Sequence, residues 1–185
     1  FGGYGLSFHD GRAVFVPFTI PGELVETDEP EYRKSVGFAK PVSVIEPSSD
    51  RITPECPLFG SCGGCDYLHM TYERELEEKR AIVRDSLSRI GKFKDERIPG
   101  IGIISAERFG CRSHASVKTD GKGHPGFYAK DSHTVIPFPG EGCRLLCPAL
   151  RDALKGIHEP ENEVKAAAGS DGKAHLSSGE QVFIT

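Results

Sequence analysis

The chain has no long apolar run and no start that resembles a leader peptide. These two absences argue against a membrane-spanning protein and against a secreted one. No uninterrupted apolar stretch comes near the roughly 18 residues that a membrane-spanning helix needs. No charged start is followed by an apolar segment, as it would be in a secretory signal. We therefore expect a cytoplasmic protein with no membrane partner, whose clustered cysteines bind metal or act in redox chemistry rather than form disulfides.

The chain also lacks an overall positive charge. Its net charge of -4 argues against a wholly basic nucleic-acid-binding protein. The charge is unevenly spread, however: residues 1–50 carry 4 basic and 8 acidic side chains, whereas residues 72–130 carry 13 basic and 9 acidic ones. A basic middle segment suits contact with phosphates, although charge alone favours an ordinary solvated surface.

Short apolar stretches and turn signals, with no internal repeat, predict the fold of the N-terminal part. Stretches rich in Val, Phe and Ile at 13–20 and 36–45 predict β-strands, and HDG at 9–11 is a tight-turn signal. Together they predict a small N-terminal β-barrel or sandwich over residues 1–48, and a barrel of the oligonucleotide-binding type is one such fold. The boundary falls in a proline-containing stretch of little apolar content.

The remainder, residues 49–185, is predicted to be a mixed domain, which makes the whole protein α+β. Apolar residues at helical spacing predict a helix over 71–91 that ends at Gly91. Pro148 in a first turn predicts a second, short helix over 147–157. Further strands are predicted at 101–105, 112–118, 126–138 and 174–185.

Three cysteines, Cys56, Cys62 and Cys65, lie close together at C-x5-C and C-x2-C spacings. A tetrahedral or cubane site needs a fourth ligand, for which the candidates are Cys111, Cys143, Cys147 and the histidines. The chain lacks the second short knuckle that structural zinc sites use, and a remote fourth cysteine is more typical of an iron–sulfur cluster. The spacing alone leaves zinc and a cluster open.

Two other interpretations concern single cysteines or pairs. Cys111 stands in a strand pattern and is expected to be a small buried apolar residue. A thioredoxin-like redox role for Cys62 and Cys65 is less favoured, because the two glycines between them do not suit the strand-to-helix turn of such a motif.

The segment CPLFGSCGGCDYLHMTYERELEEKRAIVRDSLSRIG, residues 56–91, resembles the iron–sulfur segment of the RNA uracil-5-methyltransferases, which make 5-methyluridine in ribosomal or transfer RNA. The family pattern is C-x5-C-G-G-C, then a His, a Tyr and a helix with a Lys, matched here by His69, Tyr72 and Lys79. HDGRAVFVPFTIPGELVE is similar to the RNA-binding TRAM barrel that precedes this segment in the family. The stretch from FGCRSH to LLCPAL is similar to the family's central domain.

The resemblance implies a [4Fe-4S] cluster held by Cys56, Cys62, Cys65 and Cys143. In the family the fourth cluster cysteine stands five residues before a proline, as Cys143 stands before Pro148. By that resemblance Cys147 is a neighbour of the cluster and not a ligand.

The resemblance also implies an RNA partner, with ribosomal RNA favoured over transfer RNA and no DNA expected. Arg and Lys would hold phosphates, and rings would stack on unpaired bases. The candidate RNA-binding residues of the central domain are Arg112, His114, Lys118, Phe127, Lys130, Ser132 and His133. In the small barrel Tyr4, Phe15 and Phe18 are candidate stacking rings, with core packing favoured for Phe15.

One part of the family pattern is missing. The family's S-adenosylmethionine site, cysteine nucleophile and carboxylate base lie in a later domain, and no glycine-rich strand-to-helix loop is visible here. We expect the RNA-binding, cluster-carrying portion of an S-adenosylmethionine-dependent RNA uracil-C5 methyltransferase, incomplete at its C-terminus and without catalytic residues; only a full-length protein would bind S-adenosylmethionine. Whether the chain is itself an enzyme stays open. The alternatives are a stand-alone RNA-binding adaptor and a zinc-stabilised interaction module.

Overall fold

The computed structural model describes residues 2–158, 163–178 and 181–184, the last range by its backbone alone. It divides into two compact units, Phe1–Glu55 with Asp66–Ser105 and Cys56–Cys65 with Ala106–Thr185. The strands are β1 Tyr4–His9, β2 Arg12–Pro17, β3 Leu24–Thr27, β4 Glu31–Arg33, β5 Val36–Phe38, β6 Pro41–Glu46, β7 His114–Thr119, β8 Pro125–Tyr128, β9 Val135–Pro137, β10 Glu163–Ala168, β11 Ala174–Ser178 and β12 Gln181–Ile184. The α-helices are α1 Tyr72–Asp85 and α2 Pro148–Leu154. Strands thus outnumber helices in a mixed fold, as the α+β class requires.

The first unit is built on a hairpin and the strands that extend it. β1 and β2 are antiparallel, with His9 opposite Arg12, and the turn residues Asp10 and Gly11 have φ values of 49° and 73°. Two positive φ angles give a two-residue turn the twist of its flanking strands, so the predicted turn is confirmed. β5 lies parallel to β2 and antiparallel to β4, in the order β1-β2-β5-β4.

The expected closed β-barrel is not formed by the described residues. β3 and β6 pair with each other in a separate two-stranded sheet with an irregular register. A closed barrel gives every strand a neighbour on both sides, whereas β1 and β4 are edge strands of the four-stranded sheet. The strand predicted over 36–45 is divided into β5 and β6. Between them, the N–H of Lys40 donates to the carboxylate of Asp28 over 2.6 Å and not to a neighbouring strand.

The helix of the first unit follows the prediction closely. α1 begins after Thr71, whose hydroxyl accepts a hydrogen bond from the N–H of Arg74 over 3.3 Å, and a π-helical turn continues it over Ser86–Ile90. The helix ends at Gly91 as predicted, but with a right-handed φ of -72°. A Cβ there would lie 2.7 Å from the carbonyl oxygen of Leu87, so the position needs glycine for room. Among the described helices, none is both long and apolar enough to cross a bilayer.

The first unit extends past the predicted boundary at residue 48. The guanidinium of Arg51 binds the carboxylate of Glu23 at 2.5 and 2.6 Å and the carbonyl oxygen of Phe18 at 2.9 Å. These bonds hold the start of the linker against the N-terminal strands. The two compact units are defined by contacts within the folded chain. The domains predicted from the sequence, residues 1–48 and 49–185, remain a prediction.

The second unit is an antiparallel sheet of six strands, in the order β12-β11-β10-β7-β8-β9, with α2 packed on it. Its core joins Val117 of β7 and Val164 of β10 to Leu150 and Leu154 of α2. Pro148 opens α2, as predicted. The strand predicted over 101–105 does not form: the segment has no ladder partner, and Ile104 is fully exposed.

Candidate metal centre and nucleic-acid interface

The cysteine loop, residues 56–65, is held in place by its own turns and by the end of β8. The N–H of Cys62 donates to the carbonyl oxygen of Leu58 over 2.9 Å. The N–H of Gly63 donates to the carbonyl oxygen of Tyr128 over 2.9 Å, and Cys62 forms an antiparallel bridge with Ala129. The loop is therefore an added edge of the hairpin formed by β8 and β9.

The two glycines of the cysteine loop leave room for this contact. A Cβ on Gly63 would lie 3.0 Å from the carbonyl oxygen of Tyr128. A Cβ on Gly64 would lie 3.1 Å from the ring of Phe127 and 3.4 Å from the sulfur of Cys62. The N–H of Gly64 donates to that same sulfur over 3.4 Å. The spacing C-G-G-C thus lets backbone approach both a strand and a thiol.

The remote cysteine of the predicted set lies just before α2. Cys143 is half-buried and packs against the core of the second unit, and its carbonyl oxygen accepts the N–H of Leu146 over 3.1 Å. Cys147 is the N-cap residue of α2 and also packs against this core. Cys111 is exposed and lies outside the strands, so the expectation that it is buried is wrong; its sulfur contacts the carbonyl oxygen of Arg108 at 3.7 Å.

Two thiols of the predicted ligand set, Cys62 and Cys65, have a raised pKa. Burial, followed by the charges of neighbouring thiolates, raises the pKa of Cys65 to about 12. The neighbouring thiolates are those of Cys143, Cys62 and Cys56. Burial also raises the pKa of Cys62 above its ordinary value, against the opposing effect of the N–H of Gly64. Several thiolates in a partly buried site can all be ionised only if a cation compensates them.

All six cysteines are free thiols. Within the described part of the chain, no three His, Cys, Asp or Glu side chains are grouped as the ligands of a metal ion. The predicted ligands are therefore gathered in one unit without being drawn into a compact coordination site.

The predicted RNA-binding residues divide into two groups. Arg112 and Phe127 lie beside the cysteine loop: the guanidinium of Arg112 lies 5.7 Å from the ring centroid of Phe127. Phe127 packs against the core, with its ring 4.9 Å from that of Phe138. A ring in this position is placed for packing more than for stacking on a base.

The second group lies on the exposed side of the sheet and on the loop after β8. Lys118 forms an ion pair with Glu163, and its Nζ lies 5.7 Å from the ring of Tyr128. Tyr128 is exposed, and its ring meets that of His133 edge-on at 5.3 Å. Ser132 accepts the N–H of Thr134 over 3.0 Å. The remaining predicted residues, His114 and Lys130, are exposed and half-buried respectively.

The first unit carries a second aromatic surface, the aromatic face, formed by Tyr4, Phe15 and Phe38. Phe15 and Phe38 are stacked at 5.8 Å, and Tyr4 meets both edge-on at 6.4 and 6.2 Å. Val14 and Val16, the neighbours of Phe15 on β2, are buried in the core. Because side chains alternate along a strand, Phe15 points away from that core, and the core position favoured for it is wrong.

Sequence reasoning missed Phe38 of the aromatic face and the neighbouring Arg33. Phe38 is 41% exposed, and the guanidinium of Arg33 lies 5.9 Å from its ring centroid. The alternation of side chains along β5 would have indicated this face. This alternation is not apparent when β5 and β6 are predicted as one strand. Phe18, the third predicted stacking ring, instead meets the buried His69 edge-on at 6.2 Å.

The chain was compared with known proteins. No family model matches it. It is 33% identical to an RNA methyltransferase of Leptospira interrogans over 147 residues, which is 78% of this chain and 35% of the relative. It is 37% identical to an RNA methyltransferase of Aquifex aeolicus over 166 residues, or 86% of this chain and 38% of the relative.

A third relative has a more specific name. The 23S rRNA (uracil(1939)-C(5))-methyltransferase of Halomonas elongata is 33% identical over 162 residues, which is 85% of this chain and 32% of the relative. The crystal structure of tRNA (uracil-54, C5)-methyltransferase from Pyrococcus abyssi, in complex with S-adenosyl-L-homocysteine, has a similar fold. It aligns with a TM-score of 0.59 and 20% identity, and covers 97% of this chain and 46% of that one.

The chain spans about a third of the length of the curated relatives it matches. The matched part includes most of this chain in each case. By homology the chain therefore belongs to the RNA methyltransferases, a group that includes uracil-C5 methyltransferases, which confirms the resemblance drawn from its cysteine segment.

Proposed function

We propose that this chain is the RNA-binding, [4Fe-4S]-carrying portion of an S-adenosylmethionine-dependent RNA uracil-C5 methyltransferase, with ribosomal RNA as its substrate. Methyl transfer is assigned to no residue of this chain. The homology to a 23S rRNA uracil-C5 methyltransferase supports the choice of RNA.

The observation that carries the proposal is the electrostatic effect on Cys65 of three other thiols, one of them from a distant part of the sequence. Cys65 and Cys143 are 78 positions apart, yet the charge of Cys143 raises the pKa of Cys65. A donor set made only of thiolates suits iron–sulfur clusters and zinc. When bound, the group would cross-link the cysteine loop to the segment before α2, and closing so long a loop stabilises a fold.

The cluster is preferred to zinc on the pattern of cysteines in the sequence. The chain lacks the second short knuckle that structural zinc sites use, and a remote fourth cysteine is more typical of an iron–sulfur cluster. The N–H···S bond from Gly64 to Cys62 is of the kind that tunes cluster potentials.

RNA binding is proposed for two surfaces, each described within its own unit. In the second unit, Tyr128 and His133 present exposed rings beside Lys118, an arrangement suited to an unpaired base and its phosphate. In the first unit, which we propose to be TRAM-like, the aromatic face and Arg33 supply stacking and charge.

An anaerobic absorption spectrum, with iron, sulfide and zinc analysis of the same sample, tests the proposal. We expect a brown protein with about four irons per chain and RNA affinity that weakens steeply with salt. The variant C143S should lose the cluster, while the matched variant C147S should keep it. A colourless protein with one zinc would instead support the zinc-stabilised interaction module.

A further inference from the structure

The backbone of Arg112 is fixed to the segment that carries the remote cysteine. Its N–H donates to the carbonyl oxygen of Leu145 over 2.9 Å, and its carbonyl oxygen accepts the N–H of Cys147 over 3.0 Å. These bonds form a parallel bridge between Arg112 and Leu146. Leu146 is fully buried, so the position of Arg112 is anchored to the core beside Cys143 and Cys147.

The side chain of Arg112 reaches toward the other part of the thiol set. Its guanidinium lies 5.7 Å from the ring centroid of Phe127, and this ring packs against Gly64 of the cysteine loop. Gly64 in turn donates its N–H to the sulfur of Cys62 over 3.4 Å. The guanidinium, the ring of Phe127 and the backbone that binds this thiol are therefore neighbours within the second unit.

We propose that Arg112 is the counter-charge of the four-thiolate centre, a residue that positions and stabilises the cluster and does not contact RNA phosphates. This inference rests on the proposed function. A cluster held by four thiolates is anionic, and its potential depends on net charge and on nearby dipoles and charges. In a partly buried site a fixed cation stabilises such an anion more than it would in water, and most of all in its reduced state.

The ring of Phe127 completes this arrangement. Its ring lies beneath the guanidinium of Arg112 and also packs against Gly64 of the cysteine loop. A cation–π contact of this kind holds the charge in one place. Two of the residues predicted to bind RNA, Arg112 and Phe127, are thereby given a role in the metal centre.

The test compares R112Q with R112K and with R144Q in protein carrying its cluster. Arg144 follows Cys143 directly, but its guanidinium lies 4.7 Å from the ring of Phe109. R144Q therefore removes the same charge as R112Q, but from a different position. In R112Q we expect the ratio of reduced to oxidised cluster at a fixed potential to fall about three- to tenfold, measured by electron paramagnetic resonance. We also expect about threefold faster loss of iron to a chelator, with both values near wild type in R144Q and intermediate in R112K.

The outcomes separate this inference from the proposed function. Wild-type protein that binds no iron would overturn the proposed function and the counter-charge together. Iron-loaded R112Q with wild-type potential and iron-loss rate, but with a salt slope for RNA binding reduced by about one, would overturn the counter-charge alone. If R112Q does not fold, R112K decides: a redox ratio and an iron-loss rate that both depart from wild type in the expected direction support the inference, and wild-type values of both overturn it.

Discussion

The backbone N–H of Gly63 donates a hydrogen bond to the carbonyl oxygen of Tyr128 over 2.9 Å. This bond joins the cysteine loop to the strand whose last residue presents an exposed ring. The candidate metal centre and one candidate RNA surface therefore share a piece of backbone. Loss of the metal should loosen Tyr128, and a substitution at the contact should affect both properties.

Substituting Gly63 with Ala tests this contact. The new Cβ would lie 3.0 Å from the carbonyl oxygen of Tyr128. This oxygen belongs to the backbone of a sheet and can therefore move little to relieve the contact. We expect G63A to lower the free energy of unfolding by about 1–2 kcal/mol and to retain less iron, as measured by urea unfolding and metal analysis. The matched variant G140A, where nothing lies within 4 Å of the new Cβ, should behave as wild type; equal stability of the two variants would contradict the close contact.

The ion pair between Glu23 and Arg51 predicts a dependence of stability on pH. Burial raises the pKa of Glu23, but the hydrogen bonds from Arg51 and from the N–H groups of Ile20 and Ser48 outweigh it and lower the pKa overall. A carboxyl whose pKa is lower in the folded state adds stability above its unfolded pKa of about 4.3. This stability is lost as the pH falls through the lower, folded value.

We expect E23Q to lower the free energy of unfolding at pH 7 by about 1–3 kcal/mol, as measured by urea titrations at several pH values. The difference from wild type should shrink as the pH falls below 4. The control E26Q alters an exposed carboxylate that bonds to Ser43 over 2.9 Å and should change stability little. A difference between E23Q and wild type that stays constant from pH 7 to pH 3 would refute the linkage.

The ion pair between Lys118 and Glu163 predicts how RNA affinity responds to charge. Glu163 also accepts a hydrogen bond from the hydroxyl of Ser116 over 2.5 Å, and both partners lower its pKa. We expect E163Q to release the ammonium of Lys118 for a phosphate, so that RNA binds more tightly and with a steeper salt dependence. E141Q removes an equal charge at another exposed position; a gain of the same size in that variant would show that only net charge matters.

The exposed ring of Tyr128 predicts a contribution that does not depend on salt. Stacking of one base on an aromatic ring contributes about 1–3 kcal/mol. We therefore expect Y128A to weaken the binding of single-stranded RNA by about fivefold or more, with an unchanged salt slope, in fluorescence anisotropy titrations. Y128F keeps the ring and should bind as wild type. Weaker binding by Y128F equal to that of Y128A would point to the hydroxyl instead of stacking.

Local signals in the sequence predicted the elements that depend on neighbouring residues. The turn at Asp10 and Gly11, the helix predicted from residue 71 and the start of α2 at Pro148 are all confirmed, the helix beginning one residue later at Tyr72. Each depends on a turn signal, local apolar spacing or a proline. The clustering of Cys56, Cys62 and Cys65 was likewise visible in the spacing.

Features that depend on distant pairing could not be predicted in this way. β10 pairs with β7 across more than forty residues and brings Glu163 to Lys118, which no local pattern indicates. The outward direction of Phe15 depends on its register opposite Phe38 in β5. The open edges of β1 and β4 reflect which ladders form, whereas strand-rich composition alone favoured a closed barrel.

The cysteine loop belongs to the second unit, although the residues on both sides of it in the sequence belong to the first unit. No single cut in the chain therefore releases either unit whole, and a fragment that starts at residue 106 leaves three thiols behind. The order of synthesis has a similar effect. At roughly 5–20 residues per second, the loop leaves the ribosome about 4–16 seconds before Cys143. Through that interval its three thiols lack the fourth ligand that we propose, and they are open to oxidation or to binding another metal.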